Sequence, residues 1–137
     1  MAKVLCVDCN PVLLEKWTAA LQSAGHNVLS TASGKRALEL FVQSELDLIV
    51  LDYRAREVYG GEVALRMRTL RPDVPILMLC GAYWWPPEAA LKLVNGLHVK
   101  ADGAQQLVDK VGEMLAKPDS AKISALGTDA GAEGAVA

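Results

Sequence analysis

Apolar residues fall into two rhythms along most of this chain. Five short aliphatic or β-branched runs alternate with longer amphipathic stretches: KVLCVD (3–8), HNVLST (26–31), LDLIVLD (46–52), VPILMLC (74–80) and GLHVK (96–100). Several runs are apolar at successive positions, so both of their faces need cover. That is the pattern of parallel strands lying between two layers of helices. The first, third and fourth runs are the most continuous and predict central strands. The second and fifth are more polar and predict positions nearer the sheet edges.

Between the runs the period becomes helical. Leu13, Leu14, Trp17, Leu21 and Ala24 form one stripe, opened by Asn10 as N-cap with Pro11 at the first helical position and closed by Gly25. Ala37, Leu38, Phe41 and Val42 form a second stripe behind Ser33-Gly34. Val63, Ala64, Met67 and Leu70 form a third, halted before Pro72. A short fourth helix is predicted from Pro86-Pro87-Glu88 to near Asn95-Gly96, and the fifth carries Leu107, Val108, Val111 and Leu115. Five β-α units in series predict an α/β fold, a doubly wound parallel sheet with right-handed crossovers. From Lys117 the sequence KPDSAKISALGTDAGAEGAVA has no aromatic residue and is dominated by Ala, Gly and small polar residues. Residues 1–116 are therefore read as one folded domain and 117–137 as a flexible tail.

The bulk properties narrow the function classes. A chain of 137 residues with net charge −2 has no clustered basic footprint for nucleic acid. Its tightest basic group, Arg66, Arg68 and Arg71, reads as a solvated helix end. No run approaches the roughly 18 apolar residues of a membrane span, and the opening MAKVLCV lacks the layout of a signal peptide. Three cysteines, an odd number, point to a reducing compartment. The expectation is a cytoplasmic protein.

In open parallel sheets, ligands bind beyond the carboxyl ends of the strands. Those ends carry Asp8 and Cys9 after the first strand, Asp52 after the third, Cys80 after the fourth and Lys100 after the fifth. Two carboxylates and an ammonium converging on one rim predict a site. No glycine-rich phosphate cradle follows the first strand, there is no G-x-S-x-G elbow, and neither His26 nor His98 has an evident nucleophile partner.

With these residues in view the chain resembles the receiver domain of two-component response regulators. The resemblance rests on VLCVDCNP, DLIVLDYRAREVYGGEVA, RPDVPILMLCG and HVK, in that order, and covers residues 3 to about 116. It implies a flavodoxin-like sheet of order 2-1-3-4-5 and a signalling module, not an enzyme. It also implies that Asp52 accepts a phosphoryl group from a histidine kinase or phosphotransfer protein, for relay to a downstream protein target. Mg²⁺ would be held by the acid after the first strand, Asp8, by Asp52 and by the Arg54 carbonyl, while Lys100 and the residue at position 80 would contact the phosphoryl oxygens.

Several positions depart from the family pattern. Cys9 replaces the second acid of the pair, Cys80 the switch hydroxyl and Leu97 the switch aromatic; Arg56 and Ala101 stand where prolines are usual. A thiol is a poor Mg²⁺ ligand, so weakened metal binding and switching are expected. The first reading is thus a stand-alone receiver; a pseudo-receiver that never carries phosphate is the second. A thiol- or zinc-dependent enzyme using Cys9, Cys80, Asp8 and Asp52 is the third. In GAYWWPPE (81–88), Trp84 and Trp85 read either as a partner-binding surface or as rings packed back on the domain. The sequence does not set the oligomeric state, and no membrane or nucleic-acid partner is expected.

Overall fold

The computed structural model describes residues 1–117; the segment 118–137, read above as part of the tail, lies outside the described residues. Five strands, β1 (Lys3–Val7), β2 (Asn27–Thr31), β3 (Leu48–Asp52), β4 (Ile76–Cys80) and β5 (Gly96–Val99), alternate with five helices. The helices are α1 (Pro11–Ser23), α2 (Gly34–Gln43), α3 (Gly60–Leu70), α4 (Glu88–Leu91) and α5 (Gly103–Leu115). All strand pairs are parallel, in the order β2-β1-β3-β4-β5. The order and the doubly wound architecture are those expected from the sequence.

Each side of the sheet carries its own apolar layer. Leu5, Val7, Ile49, Leu51, Ile76 and Met78 pack against Ala37 and Phe41 of α2 and Val63, Ala64 and Met67 of α3. Val4, Cys6, Leu48, Val50, Leu77 and Leu79 pack against Trp17 and Leu21 of α1 and Leu107 and Val111 of α5. β3 and β4 are buried at every residue, which accounts for their unbroken apolar sequence, whereas the edge strands β2 and β5 are partly exposed.

The helix starts follow the capping chemistry. The Asn10 side chain accepts from the Val12 and Leu13 amides, and the Ser33 hydroxyl oxygen accepts from the Arg36 amide. Gly25, at φ 97°, turns the chain beyond α1.

Four expectations need correction. Val42 and Leu70 are exposed: each lies on the outer edge of its helix, where the stripe runs past the sheet. The fourth helix is a single turn, Glu88–Leu91, and not a run to Asn95. The carbonyl of Leu93 and the side chain of Asn95 are bonded instead by the Arg68 guanidinium, and Asn95 also accepts from the Ile76 amide. The basic cluster is not simply a solvated helix end. Arg68 also bonds the carbonyls of Pro72 and Val74, and Arg71 reaches the Ser44 carbonyl and lies 4.3 Å over the Phe41 ring. Only Arg66, paired with Glu62 in the open, fits the solvated reading.

Candidate functional site

The carboxyl ends of β1, β3 and β5 bring three charges together. Asp8 follows the last residue of β1, and its Oδ1 accepts from the Asn10 amide at 2.9 Å, so the turn that caps α1 also orients the carboxylate. Asp52 ends β3; its Oδ1 accepts from the Arg54 amide at 3.1 Å and its Oδ2 from the Cys9 amide at 3.2 Å. Lys100 opens a 3₁₀ turn (Lys100–Asp102) after β5. Its ammonium donates to Asp8 Oδ1 and Asp52 Oδ2, both at 3.1 Å. Asp8 is fully buried and Asp52 nearly so, whereas the Lys100 side chain keeps a fifth of its surface in solvent.

The two carboxylates titrate apart. Burial pushes Asp8 above the usual carboxylate range, more than its hydrogen bonds offset. Burial acts on Asp52 in the same direction, but the Arg54 amide, the Lys100 charge and the Cys9 amide together outweigh it and hold the acid below its ordinary value. Burial lowers Lys100, yet the two aspartates prevail and raise it. At neutral pH Asp52 is an ionised carboxylate at a strand end, fixed by donors on both oxygens.

One partner of Asp8 is not evident in the sequence pattern. The indole Nε1 of Trp17 donates to Asp8 Oδ2 at 2.8 Å inside the core. Trp17 reads in the sequence as one more member of the α1 stripe. The only available signal is that a buried indole N–H needs an acceptor.

The loop after Asp52 is shaped by tight backbone contacts. The Gly60 amide donates to the Tyr53 carbonyl at 2.7 Å, and a Cβ at Gly60 would lie 2.3 Å from the Asp52 carbonyl oxygen, so only glycine fits. Glu57 adopts φ 72°, unusual for a side-chain-bearing residue. The Ser33 hydroxyl donates to the Glu57 carboxylate, the Arg56 amide to the Ala32 carbonyl, and the Gly34 amide to the Arg56 carbonyl. Together these contacts tie the loop to the start of α2.

Beside Asp52 lies a pocket of about 270 Å³, lined among others by Tyr53, Arg54, Cys80, Trp84 and Lys100. The Trp84 ring packs 4.8 Å from Tyr53 and lies under the Arg54 guanidinium at 5.0 Å. Trp85 is more than half exposed and Tyr83 fully so. Trp84 thus packs back on the domain while still partly open, and Trp85 projects. The Cys80 thiol is buried and directed at the His98 carbonyl, 3.8 Å away. Leu97 packs inward against the layer beneath α2 and α3.

The ligand atoms of Asp8, Cys9 and Asp52 all lie within 4.8 Å of one another, close enough to hold a metal ion. Two carboxylate oxygens suit Mg²⁺, which keeps several of its waters and takes few protein ligands. Burial, then Asp52, raises the Cys9 thiol pKa, so at neutral pH that position offers a neutral, soft donor. The residues therefore fit Mg²⁺ through Asp8 and Asp52, with a soft thiol as the third member of the cluster. The four-ligand zinc arrangement is not assembled, because Cys80 stands outside this cluster.

Comparison with known proteins gives one consistent family. The structure superposes with TM-score 0.77 on the Thermotoga maritima response regulator TrrA, solved in complex with Mg²⁺-BeF, at 26% identity over 83% of this chain and 99% of that one. The chemotaxis response regulator CheY4 of Vibrio cholerae gives TM-score 0.74 at 28% identity, over 82% and 98% of the two chains. Among curated proteins, the transcriptional regulatory protein GlrR of Escherichia coli K12 is 28% identical over 121 residues. That match takes in 84% of this chain but only 27% of GlrR. Residues 4–111 match the model of the response regulator receiver domain, and the chain belongs to that family.

Proposed function

We propose that Asp52 accepts a phosphoryl group from a phosphohistidine on a kinase or phosphotransfer protein and passes the signal to a protein target. The observation that carries this reading is the Lys100 ammonium held 3.1 Å from both Asp8 and Asp52. With the Arg54 and Cys9 amides it keeps Asp52 ionised, and it stands ready for the charge the reaction delivers. In the transfer, an Asp52 carboxylate oxygen forms a bond to phosphorus as the P–N bond to the donor imidazole breaks. The ring nitrogen keeps that electron pair and is protonated. Lys100 then turns from Asp52 to the phosphoryl oxygens, and the backbone amides of Arg54 and Cys9 hold the acyl group in place. Mg²⁺, when bound by Asp8 and Asp52, supplies additional charge neutralisation for the phosphoryl oxygens.

With a neutral thiol at position 9, transfer is slow and needs high Mg²⁺. The test is intact mass after incubation with acetyl phosphate and Mg²⁺. A slow gain of one phosphoryl group that disappears in Asp52→Asn supports the reading; modification unchanged in Asp52→Asn refutes it.

A second reading, a receiver that signals by contact without phosphate, is favoured by the aromatic patch of Tyr59, Tyr83, Trp84 and Trp85, all exposed beside the site. Such rings are typical interface anchors. Replacing Trp84 and Trp85 together by alanine would then weaken partner binding by at least about 2 kcal/mol while the fold stays cooperative. Unchanged binding removes this reading.

A further inference from the structure

Asp8 is the site's most enclosed acid, and its two oxygens are used differently. Oδ1 faces Lys100 and also takes the Asn10 amide, whereas Oδ2 points into the core and takes only the Trp17 indole among the hydrogen bonds of the described residues. Trp17 can reach it because helical side chains lean toward the N-terminus of their helix. A residue nearly two turns into α1 therefore covers the turn at Asp8.

The indole is itself immobilised. It is completely buried, and the ring of His98 on β5 meets it at 5.9 Å with an interplanar angle of 89°. The Lys16 ammonium lies 5.8 Å from the ring centroid. A packed bicyclic ring that donates to a site carboxylate is an outer partner fixing the orientation of an inner ligand. The geometry points to Trp17 as a positioning residue for cation binding. By holding Oδ2 it leaves Asp8 a single oxygen, Oδ1, to present toward the space between Asp52 and Cys9. There Lys100 competes with any divalent cation. This role rests on the reading of Asp8 and Asp52 as the residues that would hold Mg²⁺.

Without the indole N–H, Oδ2 is a buried acceptor with no donor, which costs free energy that the carboxylate recovers by turning. Oδ1 then leaves the position a cation needs. Loss of such outer partners lowers metal affinity by about 10- to 100-fold in metalloproteins generally.

The test must separate this from simple packing. Replacing Trp17 by β-(3-benzothienyl)alanine keeps a bicyclic ring of the same size and exchanges the N–H for sulfur. Mg²⁺ alone is titrated into the full ¹⁵N-labelled chain and followed by the amides of Cys9, Arg54 and Lys100. The comparison is made in the natural sequence and in Cys9→Asp, where a hard ligand is returned. The expected result is about tenfold weaker Mg²⁺ binding for the benzothienyl chain in the Cys9→Asp background, with thermal unfolding within a few degrees of its parent. Affinity within twofold of the parent overturns the proposal.

If the natural chain binds no Mg²⁺ while Cys9→Asp does, the reading of a working metal site in the natural chain fails. The Trp17 comparison is still decided in the Cys9→Asp chain. No binding in Cys9→Asp overturns both. Should the benzothienyl chain not fold, the indole resonance of Trp17 in Cys9→Asp decides: it must shift with the same half-saturation as the amides. An indole signal that stays fixed while the amides move overturns the proposal.

Discussion

Replacing Lys100 by methionine removes the ammonium bonded to the two buried carboxylates and keeps much of the side-chain volume. Each Lys100 contact is 3.1 Å long, worth about 5 kcal/mol of gross attraction at an effective dielectric of about 20. Most of that is offset by the cost of withdrawing the charges from water, which is several kcal/mol per ion. What the variant exposes is an uncompensated pair, Asp8 and Asp52, whose ligand oxygens lie within 4.8 Å. Breaking a buried pair in this way costs about 3–5 kcal/mol, or roughly 10–20 °C in Tm for a fold of this size.

The pH dependence has a definite sign. In the natural chain Asp52 is depressed, so its contribution is present above the unfolded carboxylate value and is lost as pH falls through the folded one. Asp8 is raised, so it works in the opposite direction and the fold recovers some stability as Asp8 protonates. Without Lys100 both acids lose their counter-charge and rise. The gap to the natural chain then narrows as pH falls from 7 toward 5. Urea unfolding at pH 7 and 5 measures both quantities. A loss below about 1 kcal/mol at pH 7, with parallel pH profiles, would refute this electrostatic account of the site.

Other outcomes follow from single contacts. Burial and then Asp52 raise the Cys9 thiol, so iodoacetamide modifies the native chain slowly at pH 7. The rate climbs with pH and is faster in Asp52→Asn, and because Cys6 and Cys80 are buried a single adduct forms, read by mass. Gly60→Ala forces a Cβ to 2.3 Å from the Asp52 carbonyl oxygen and costs about 2–4 kcal/mol in chemical denaturation; a neutral effect would mean that the loop is not closed as described. Burial, then Lys110, lowers His98. The unfolded chain therefore binds that proton near pH 6.5 before the fold does, and stability falls as pH drops below that value. His98→Phe should flatten this slope by up to about 1.4 kcal/mol per pH unit, measured by denaturation between pH 6.5 and 5.5.

The sheet was legible because parallel strands covered on both faces have no polar positions to hide. LIVLD and ILMLC are buried throughout and could hardly be read otherwise. The rim was legible too, since Asp8 and Lys100 follow their strands directly and Asp52 ends its own, and strand ends are where such folds place ligands. What escaped depends on contacts distant in sequence. Arg68 replaces helical turns near Leu93 by bonding the Leu93 carbonyl, 25 residues away, and no local pattern encodes that. Trp17 carries an apolar body and one polar atom, so its stripe position announces packing and conceals the bond to Asp8. Val42 and Leu70 continued a helical period past the edge of the surface that needed covering.

The central claim is that Asp52 is the phosphoryl acceptor, and acyl phosphates can be trapped in place. The chain is treated with acetyl phosphate at high Mg²⁺, reduced with borohydride, digested and sequenced by tandem mass spectrometry. The account predicts homoserine at position 52 and nowhere else, at low yield in the natural chain and higher yield in Cys9→Asp. Reduction product at Asp8 or another carboxylate, or none at position 52 in either chain, would contradict it.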